Sequence, residues 1–217
     1  MRRMGTANVS KTFSRRSFVT GAAASAGALA AAGAAPLMAM ASQEWNLETD
    51  VLCLGAGATG LTAALWATYG GAEALVLEKG ASSLDSSSAL ADGQWAAGGT
   101  SVQAEQGIED SPEKFFEWVE SMQPNQQVCD SDLETAKAVC DASMPCFEWL
   151  LSLGVQVYGE LQDFLGMGVK RWHTINMFDV MTMLVEECDK QGVEILYNTP
   201  ATRLIVNEDG RVIGAQA

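Results

Sequence analysis

Hydrophobic and polar positions follow one another along this chain in an order that predicts an α/β fold. Residues 50–54 form an almost wholly apolar run and a second run ends at Leu77, and both have the length and composition of buried parallel strands. Between them, at about residues 59–69, one helix face is predicted to consist of Leu61, Ala64, Leu65 and Thr68. The order of strand, helix and strand predicts a parallel βαβ unit.

The same patterns predict further elements downstream. Four helices are expected, one that starts at Asp110–Glu113 and three at about residues 132–141, 143–154 and 177–191. A strand at 193–197 and a hairpin of strands at 202–206 and 211–215 are expected after them. The aromatic residues and the Met and Leu stripes of these helices are assigned to the core, which is the more common place for such stripes.

The turn between the first strand and the first helix contains the sequence G-x-G-x-x-G at Gly55, Gly57 and Gly60. The three glycines allow, in turn, a tight bend, close approach of the backbone to a pyrophosphate, and close packing of helix on strand. The N–H groups and the dipole at the helix start suit a diphosphate. Glu78 follows the second strand, where a carboxylate can accept hydrogen bonds from a ribose hydroxyl. These features predict a dinucleotide site, and the alternative is a glycine-rich turn in an ordinary α/β unit.

The first forty-one residues predict an export signal. Basic residues precede an uncharged run that is rich in Ala and Gly at 21–40, and Ala39–Ala41 fits a cleavage site that would leave a mature start at Ser42. The adjacent Arg15 and Arg16, followed by Ser and Phe, resemble a twin-arginine signal. The alternative is an uncleaved transmembrane anchor, because the uncharged run is long enough to span a bilayer.

This signal affects the expected identity of the dinucleotide. Twin-arginine export moves folded proteins, typically those that load a cofactor in the cytoplasm. A freely diffusing nicotinamide nucleotide would be scarce outside, whereas a tightly held flavin would travel with its protein. We therefore expect FAD rather than NAD, in a protein that lies in the periplasm or elsewhere outside the cytoplasm, with membrane association left open.

Composition and charge argue against some classes of binding partner. The 217 residues are 48% hydrophobic and 18% charged, which is typical of a globular protein. The net charge of −14 understates the acidity of the mature chain, because five of the thirteen basic residues and none of the acidic ones precede residue 42. Such a surface repels nucleic acid and anionic lipid, and it is interpreted as a solvated acidic surface.

The five cysteines do not predict a metal or haem site. No pair has C-x-x-C spacing and no C-x-x-C-H motif for covalent haem exists, so an iron–sulfur or zinc site is not expected. Cys53 lies inside a predicted core strand, where a free thiol behaves as a small apolar residue. A disulfide between Cys140 and Cys146 is conceivable in an oxidising compartment, but the odd number of cysteines gives it no support.

The segment after Glu78–Lys79 carries a family resemblance. Residues 48–217 resemble the FAD-binding module of the fumarate reductase and succinate dehydrogenase flavoproteins, the FAD-dependent oxidoreductase 2 family. In that family the Glu-Lys strand end precedes a loop of the form Gly-Asn-Ser/Thr-Ala-x-Ser-Gly-Gly, which contacts the pyrophosphate and the flavin. Residues 87–94 occupy this loop, with Ser87 in place of the usual Asn and Asp92 in place of a Gly. The loop lacks the histidine of members with covalent FAD, so the resemblance implies non-covalent FAD.

The resemblance also implies a fold and a set of binding residues. The expected fold is a Rossmann-like FAD-binding domain of the GR2 flavoprotein type, α/β in class, over residues 42–217 and incomplete at the C-terminus. The FAD-binding residues implied are Gly55, Ala56, Gly57, Ala58, Thr59, Gly60, Glu78, Lys79, Ser87, Ser88, Ala89, Gly93 and Ala201. Ala201 matches the residue whose backbone faces adenine. No catalytic residue and no metal ligand is predicted, because the family's capping domain and its substrate residues are expected to be absent.

By this resemblance the complete enzyme would transfer a hydride between flavin N5 and an activated C=C bond of an unsaturated acid or an enone. Electrons would come from a membrane or cytochrome partner. The alternative is a catalytically silent FAD-binding fragment, or half of a split flavoprotein. The role of Arg171 and His173 is left open. The pair could bind a carboxylate substrate in a pocket, or His173 could be a structural histidine with its hydrogen bonds satisfied.

Overall fold

A computed structural model describes residues 45–122, 132–163, 166 and 168–217. The elements follow the chain in this order: β1 (Val51–Leu54), α1 (Ala58–Tyr69), β2 (Ala74–Leu77), a 3-10 turn (Ser83–Asp85), β3 (Gln94–Ala96), α2 (Ser101–Glu105), α3 (Pro112–Met122), α4 (Leu133–Ser152), β4 (Trp172–Thr174), α5 (Met177–Gln191), β5 (Glu194–Leu196), β6 (Arg203–Val206) and β7 (Val212–Gln216). The export signal and Cys129 lie outside the described residues.

A parallel sheet forms the centre of the fold and confirms the predicted βαβ unit. Its strands are ordered β1, β2, β5, with Val51 opposite Ala74 and Val76 opposite Ile195. Helix α1 packs on β1, β2 and α5. Three of the four residues predicted for its inner face are fully buried, namely Leu61, Ala64 and Leu65.

The prediction of a buried first strand holds only in part, because Cys53 is buried whereas Val51 and Leu52 are half-buried. Leu54 is 47% exposed. Strand β1 is at the edge of the sheet that the described residues form, so one side of Leu54 has no neighbouring strand. Buried apolar runs indicate a parallel strand, but they do not indicate which strands lie at an edge.

The two helices predicted at 132–141 and 143–154 are one continuous helix, α4, and the prediction of a break is wrong. Pro145 lies inside the helix, where it cannot donate to the carbonyl of Asp141. Both residues are exposed, so water can reach that carbonyl. One buried stripe runs through both halves and holds them in one helix: Cys140, Ser143, Phe147 and Leu150. The disulfide considered above is also absent, because Cys140 and Cys146 are free thiols on different faces of α4.

The Ser/Gly-rich segment after Lys79 contains structure that the sequence patterns missed. Ser82 caps the 3-10 turn, and its hydroxyl accepts a hydrogen bond from the N–H of Leu84. Strand β3 then pairs antiparallel with β4, with Trp95 opposite His173, and α2 follows. Three-residue strands are too short to show a period of two, so only their long-range pairing reveals them.

The C-terminal predictions are confirmed. Helix α5 starts at Asn176, whose side chain accepts from the N–H of Phe178, and ends at Gly192 in a left-handed conformation. Strand β5 joins β2, and β6 and β7 form the predicted antiparallel hairpin. No helix within the described ranges is long and apolar enough to cross a membrane.

Candidate cofactor site at the ends of the parallel strands

The chain bends sharply where β1 ends, and two glycines make this bend possible. Gly55 has a φ of +104°, which L-residues with a side chain rarely adopt, and its N–H donates to the carbonyl of Leu77 at 2.7 Å. A Cβ at Gly60 would lie 2.0 Å from the carbonyl oxygen of Gly55. Helix α1 therefore starts in direct contact with the turn, as the glycine pattern predicted.

Glu78 connects the ends of β1 and β2. One carboxylate oxygen accepts a hydrogen bond from the N–H of Ala56 at 2.7 Å, and the other accepts from the N–H of Gly80 at 2.6 Å. The residue is buried, with 7% of its surface exposed. A carboxylate has about four acceptor positions, so this one retains capacity for a ribose hydroxyl.

The start of α1 is uncapped and carries no negative side chain. Its N-cap is Gly57, which has no side chain to accept a hydrogen bond, and its first turn contains no acidic residue. The N–H of Ala58 donates to the hydroxyl of Ser88 at 3.1 Å. The positive end of the helix dipole and its free N–H groups thus face the loop that the sequence assigned to the cofactor.

Gly57 lets the turn approach the loop closely. A Cβ at Gly57 would lie 3.2 Å from the Ser88 hydroxyl oxygen, so a side chain at this position would press against the loop. The groups around this position are backbone N–H donors and a neutral hydroxyl, which suit an anion. FAD contains a diphosphate, and the residues at this end of the sheet are compatible with it.

The other residues assigned to the site lie in four places. Thr59 is exposed on the first turn of α1. In the loop, Ser87 is exposed and Ala89 is buried, while Gly93 is buried against Ile175 at the start of β3. Lys79 is exposed after β2, and Ala201 is exposed just before β6. The segment that leads to Ala201 is fixed near Glu78, because the N–H of Thr199 donates to the Glu78 carbonyl.

Arg171 and His173 have structural partners. The Arg171 guanidinium makes two 2.7 Å hydrogen bonds to Asp110, and its side chain is 2% exposed. His173 is 0% exposed, and its ring lies 4.4 Å from that of Phe147. Burial lowers the pKa of His173 below its ordinary value. These contacts support the interpretation of His173 as a satisfied structural histidine.

The partners of this pair, Thr100 and Asp110, were missed from the sequence, as was Gln103, which bonds to both of them. Thr100 and Gln103 form a capping box at the start of α2, in which each side chain accepts from the backbone N–H of the other residue. The pattern Thr-x-x-Gln is a recognised signature of a helix start and could have revealed α2. Nothing in the local sequence indicates that Gln103 also reaches Asp110.

Comparison with known proteins finds related sequences for most of this chain. The family model of the FAD binding domain matches residues 50–217. The acrylate reductase flavoprotein subunit of Shewanella woodyi is 29% identical over 209 residues, which are 93% of this chain and 40% of the relative. A probable fumarate reductase of Shewanella frigidimarina is 30% identical over 172 residues, which are 77% of this chain and 28% of the relative. The chain thus spans well under half the length of these relatives.

A solved structure has the same fold. The chain is similar to the 3-ketosteroid-Δ4-(5α)-dehydrogenase of Rhodococcus jostii RHA1, with a TM-score of 0.68 and 26% identity. The similar region covers 82% of this chain and 43% of that protein.

Proposed function

Because the chain belongs to the family of FAD-binding domains, we propose that it holds FAD non-covalently with the residues at the carboxyl ends of β1 and β2. The reaction that we propose is the reduction of an activated C=C bond of a small organic substrate, for which bound FAD would supply the hydride. The observation that carries the proposal is the contact between Glu78 and the N–H of Ala56, which brings a buried carboxylate beside an uncapped helix start.

The binding roles follow from the contacts. The diphosphate lies against the first turn of α1, where its charge meets the positive end of the helix dipole, and the Ser88 hydroxyl that accepts from the N–H of Ala58 lies beside it. Glu78 accepts from a ribose hydroxyl with the acceptor positions that its two backbone contacts leave. Ala201 offers its backbone to adenine, and residues 87–93 approach the flavin. Lys79 and Thr59 are exposed at the edge of this site.

Non-covalent binding is supported by the state of the single histidine. The loop at 80–100 contains no histidine. His173 is fully buried, and both of its ring nitrogens lie within hydrogen-bond distance of protein oxygens. This side chain is therefore not free to form a bond to the flavin.

The reaction class is proposed from the relatives. They are named for the reduction of acrylate and of fumarate, and both substrates are unsaturated acids. Bound FAD supplies the hydride chemistry, while this chain binds and orients the cofactor. Electrons come from a separate membrane or cytochrome partner. The name of one relative, a flavoprotein subunit, supports this, as does the lack of a C-x-x-C-H motif here.

The protein is proposed to leave the cytoplasm by the twin-arginine pathway, after FAD has been loaded. The support is the sequence of residues 1–41, with its paired arginines and its cleavage site before Ser42. N-terminal sequencing of the exported protein tests this proposal. A mature start at Ser42 is expected, and a product that retains Arg15 and Arg16 contradicts it.

The cofactor is tested on the purified chain. We expect a yellow protein that releases FAD into the supernatant when it is precipitated with acid. Colour that stays with the precipitate contradicts non-covalent binding, and release of a nicotinamide nucleotide contradicts the FAD assignment. Dye-linked reduction of acrylate, fumarate and a steroid enone then tests the reaction class. Reduction of one of these substrates supports the proposed activity, and a chain that binds FAD but reduces none of them supports the catalytically silent alternative.

A further inference from the structure

Five buried residues form a closed ring of hydrogen bonds beside β3, with three links between side chains and two links through backbone atoms. We call them the buried polar ring: Thr100, Gln103, Asp110, Arg171 and His173. Four of these residues are at most 2% exposed, and the side chain of Asp110 is 0% exposed. Burial of polar groups costs free energy unless they are hydrogen-bonded. A ring of five such residues therefore points to a structural role.

The bonds of the ring run in sequence from the ion pair. Asp110 accepts from the Arg171 guanidinium and from the side-chain amide of Gln103 at 3.0 Å. The Gln103 side-chain oxygen accepts from the N–H groups of Gly99 and Thr100 at 2.7 and 3.1 Å. One donor of the ring is nevertheless unsatisfied, because Arg171 Nη1 has no acceptor among the described residues. The guanidinium carbon lies 5.5 Å from the centre of the Phe115 ring.

The remaining bonds fix the tautomer of His173. Its Nδ1 faces two carbonyl oxygens, those of Arg171 at 2.8 Å and Trp95 at 3.2 Å, and a carbonyl can only accept. Nδ1 therefore carries the proton and Nε2 accepts. The Thr100 hydroxyl, 2.8 Å away, must donate to Nε2 while it accepts from the N–H of Gln103. Every bond in this part of the ring has one allowed direction.

The ring holds the strand that directly follows the cofactor loop. Trp95 of β3 lies opposite His173 of β4, and the N–H of Ala97 donates to the Arg171 carbonyl. At the other end of β3, the N–H of Ile175 donates to the Gly93 carbonyl at 2.8 Å. Within residues 86–92, by contrast, the backbone bonds that are described are local, and Leu90 is 77% exposed.

We propose that the buried polar ring positions the cofactor loop, residues 87–93, by fixing the register of β3 on β4. Apolar contacts alone would allow β3 to shift, whereas hydrogen bonds of fixed direction allow one arrangement. Thr100, Gln103, Asp110, Arg171 and His173 are thus positioning residues. This inference rests on the proposed function, because that function supplies the cofactor that residues 87–93 would contact.

The test uses variants of the full chain that remove the hydrogen bond between Thr100 and His173, by a change at one partner or at the other. Thr100→Val deletes the hydroxyl with little change of shape, and Thr100→Ser keeps it. His173→Asn keeps a donor near the position of Nδ1 but removes the acceptor for Thr100. The matched control is Thr182→Val, since Thr182 is exposed on α5 and its hydroxyl donates to the Phe178 carbonyl.

The first measurement is amide hydrogen exchange without added FAD. We expect Thr100→Val and His173→Asn each to speed exchange in residues 87–97 about tenfold, and the double variant to add little, because both remove the same bond. Thr100→Ser and Thr182→Val should match the wild type. Faster exchange confined to α2 would mean that Thr100 serves only as a helix cap, and it would overturn the inference.

The second measurement is FAD titration well below the melting temperature of each variant. We expect the dissociation constant to rise about tenfold in Thr100→Val and to stay within twofold in Thr100→Ser. A lower melting temperature with unchanged affinity would overturn the inference. Failure of the wild type to bind FAD would overturn the proposed function instead, and the exchange measurement would still decide whether the ring orders the loop.

Discussion

The carboxylate of Glu78 accepts a 2.7 Å hydrogen bond from the backbone N–H of Ala56. This contact joins the end of β2 to the turn after β1, and the second carboxylate oxygen binds the N–H of Gly80. The acid expected to bind ribose therefore already orders the protein around it. Its two oxygens hold the turn, and they retain acceptor positions for the proposed ribose contact.

Glu78→Gln keeps the size of the side chain but removes its charge. The variant therefore tests the contacts of Glu78 with the turn and with the nucleotide without changing the packing. In Glu78→Gln, one carboxylate oxygen becomes an NH₂ group, so one of the two backbone N–H groups loses its acceptor. We expect the free energy of unfolding to fall by about 1–3 kcal/mol and FAD affinity to fall at least about tenfold. Urea denaturation and FAD titration measure the two effects. Glu194→Gln, at an exposed position on β5, is the control and should change neither.

Gly60 tests the packing of α1 on the turn. A Cβ at this position would lie 2.0 Å from the Gly55 carbonyl oxygen, and that backbone atom cannot move without opening the turn. We expect Gly60→Ala to lower the free energy of unfolding by more than about 3 kcal/mol. Thermal denaturation by circular dichroism measures this loss. A variant with wild-type stability would contradict the close approach of helix and turn.

Gly57 tests the space for the diphosphate. Its backbone angles suit alanine, and a Cβ there would meet only two side chains, with the Ser88 hydroxyl oxygen at 3.2 Å and the Ser86 Cβ at 3.9 Å. We expect Gly57→Ala to fold with a stability change within about 1 kcal/mol but to bind FAD at least about tenfold more weakly, because the methyl group fills the space. Equal FAD affinity in the two proteins would place the diphosphate elsewhere.

The sequence was sufficient for the parts of the fold that local patterns encode. The run to Leu54, the turn at Gly55–Gly60 and the acid at Glu78 each have a local signature, and the structure brings them together at one end of the sheet. Helix α5 was also predicted with its bounds, since Asn176 and Gly192 mark its two ends.

Long-range contacts account for what the sequence did not reveal. The capping box at Thr100 was readable, but the pairing of β3 with β4 depends on residues more than seventy positions apart, such as Trp95 and His173. Pro145 is the opposite case. A proline in this position locally favours a break, but the helix continues because it buries a stripe of residues that includes Phe147 and Leu150. Burial contributes more here than one missing hydrogen bond costs.

Pro145 should therefore be a site where stability can be gained. It is exposed within α4, and replacing it would restore a donor to the Asp141 carbonyl. We expect Pro145→Ala to raise the free energy of unfolding by about 1–3 kcal/mol. Urea denaturation measures the change, with Val139→Ala at a 62% exposed position of the same helix as the control. A loss of stability would show that α4 needs the proline.

His173 should make stability depend on pH. Burial lowers its pKa from the ordinary 6.5, although the carbonyls of Trp95 and Arg171, and the charges of Glu148 and Asp110 to a smaller extent, oppose this effect. At a pH between the folded and the unfolded pKa, the unfolded chain binds the proton and the folded chain does not. The stability that the neutral ring provides is therefore complete above the unfolded pKa of about 6.5, and it is lost as the pH falls toward the lower folded value.

We expect this loss to be smaller in His173→Asn, which has no titrating group at that position. Urea denaturation of both proteins between about pH 5 and 7.5 gives the two slopes. The variant should be less stable at neutral pH, because the Thr100 hydroxyl loses its acceptor. The difference from the wild type should shrink as the pH falls. Parallel slopes in the two proteins would show that carboxylates, rather than His173, control the acid sensitivity of the fold.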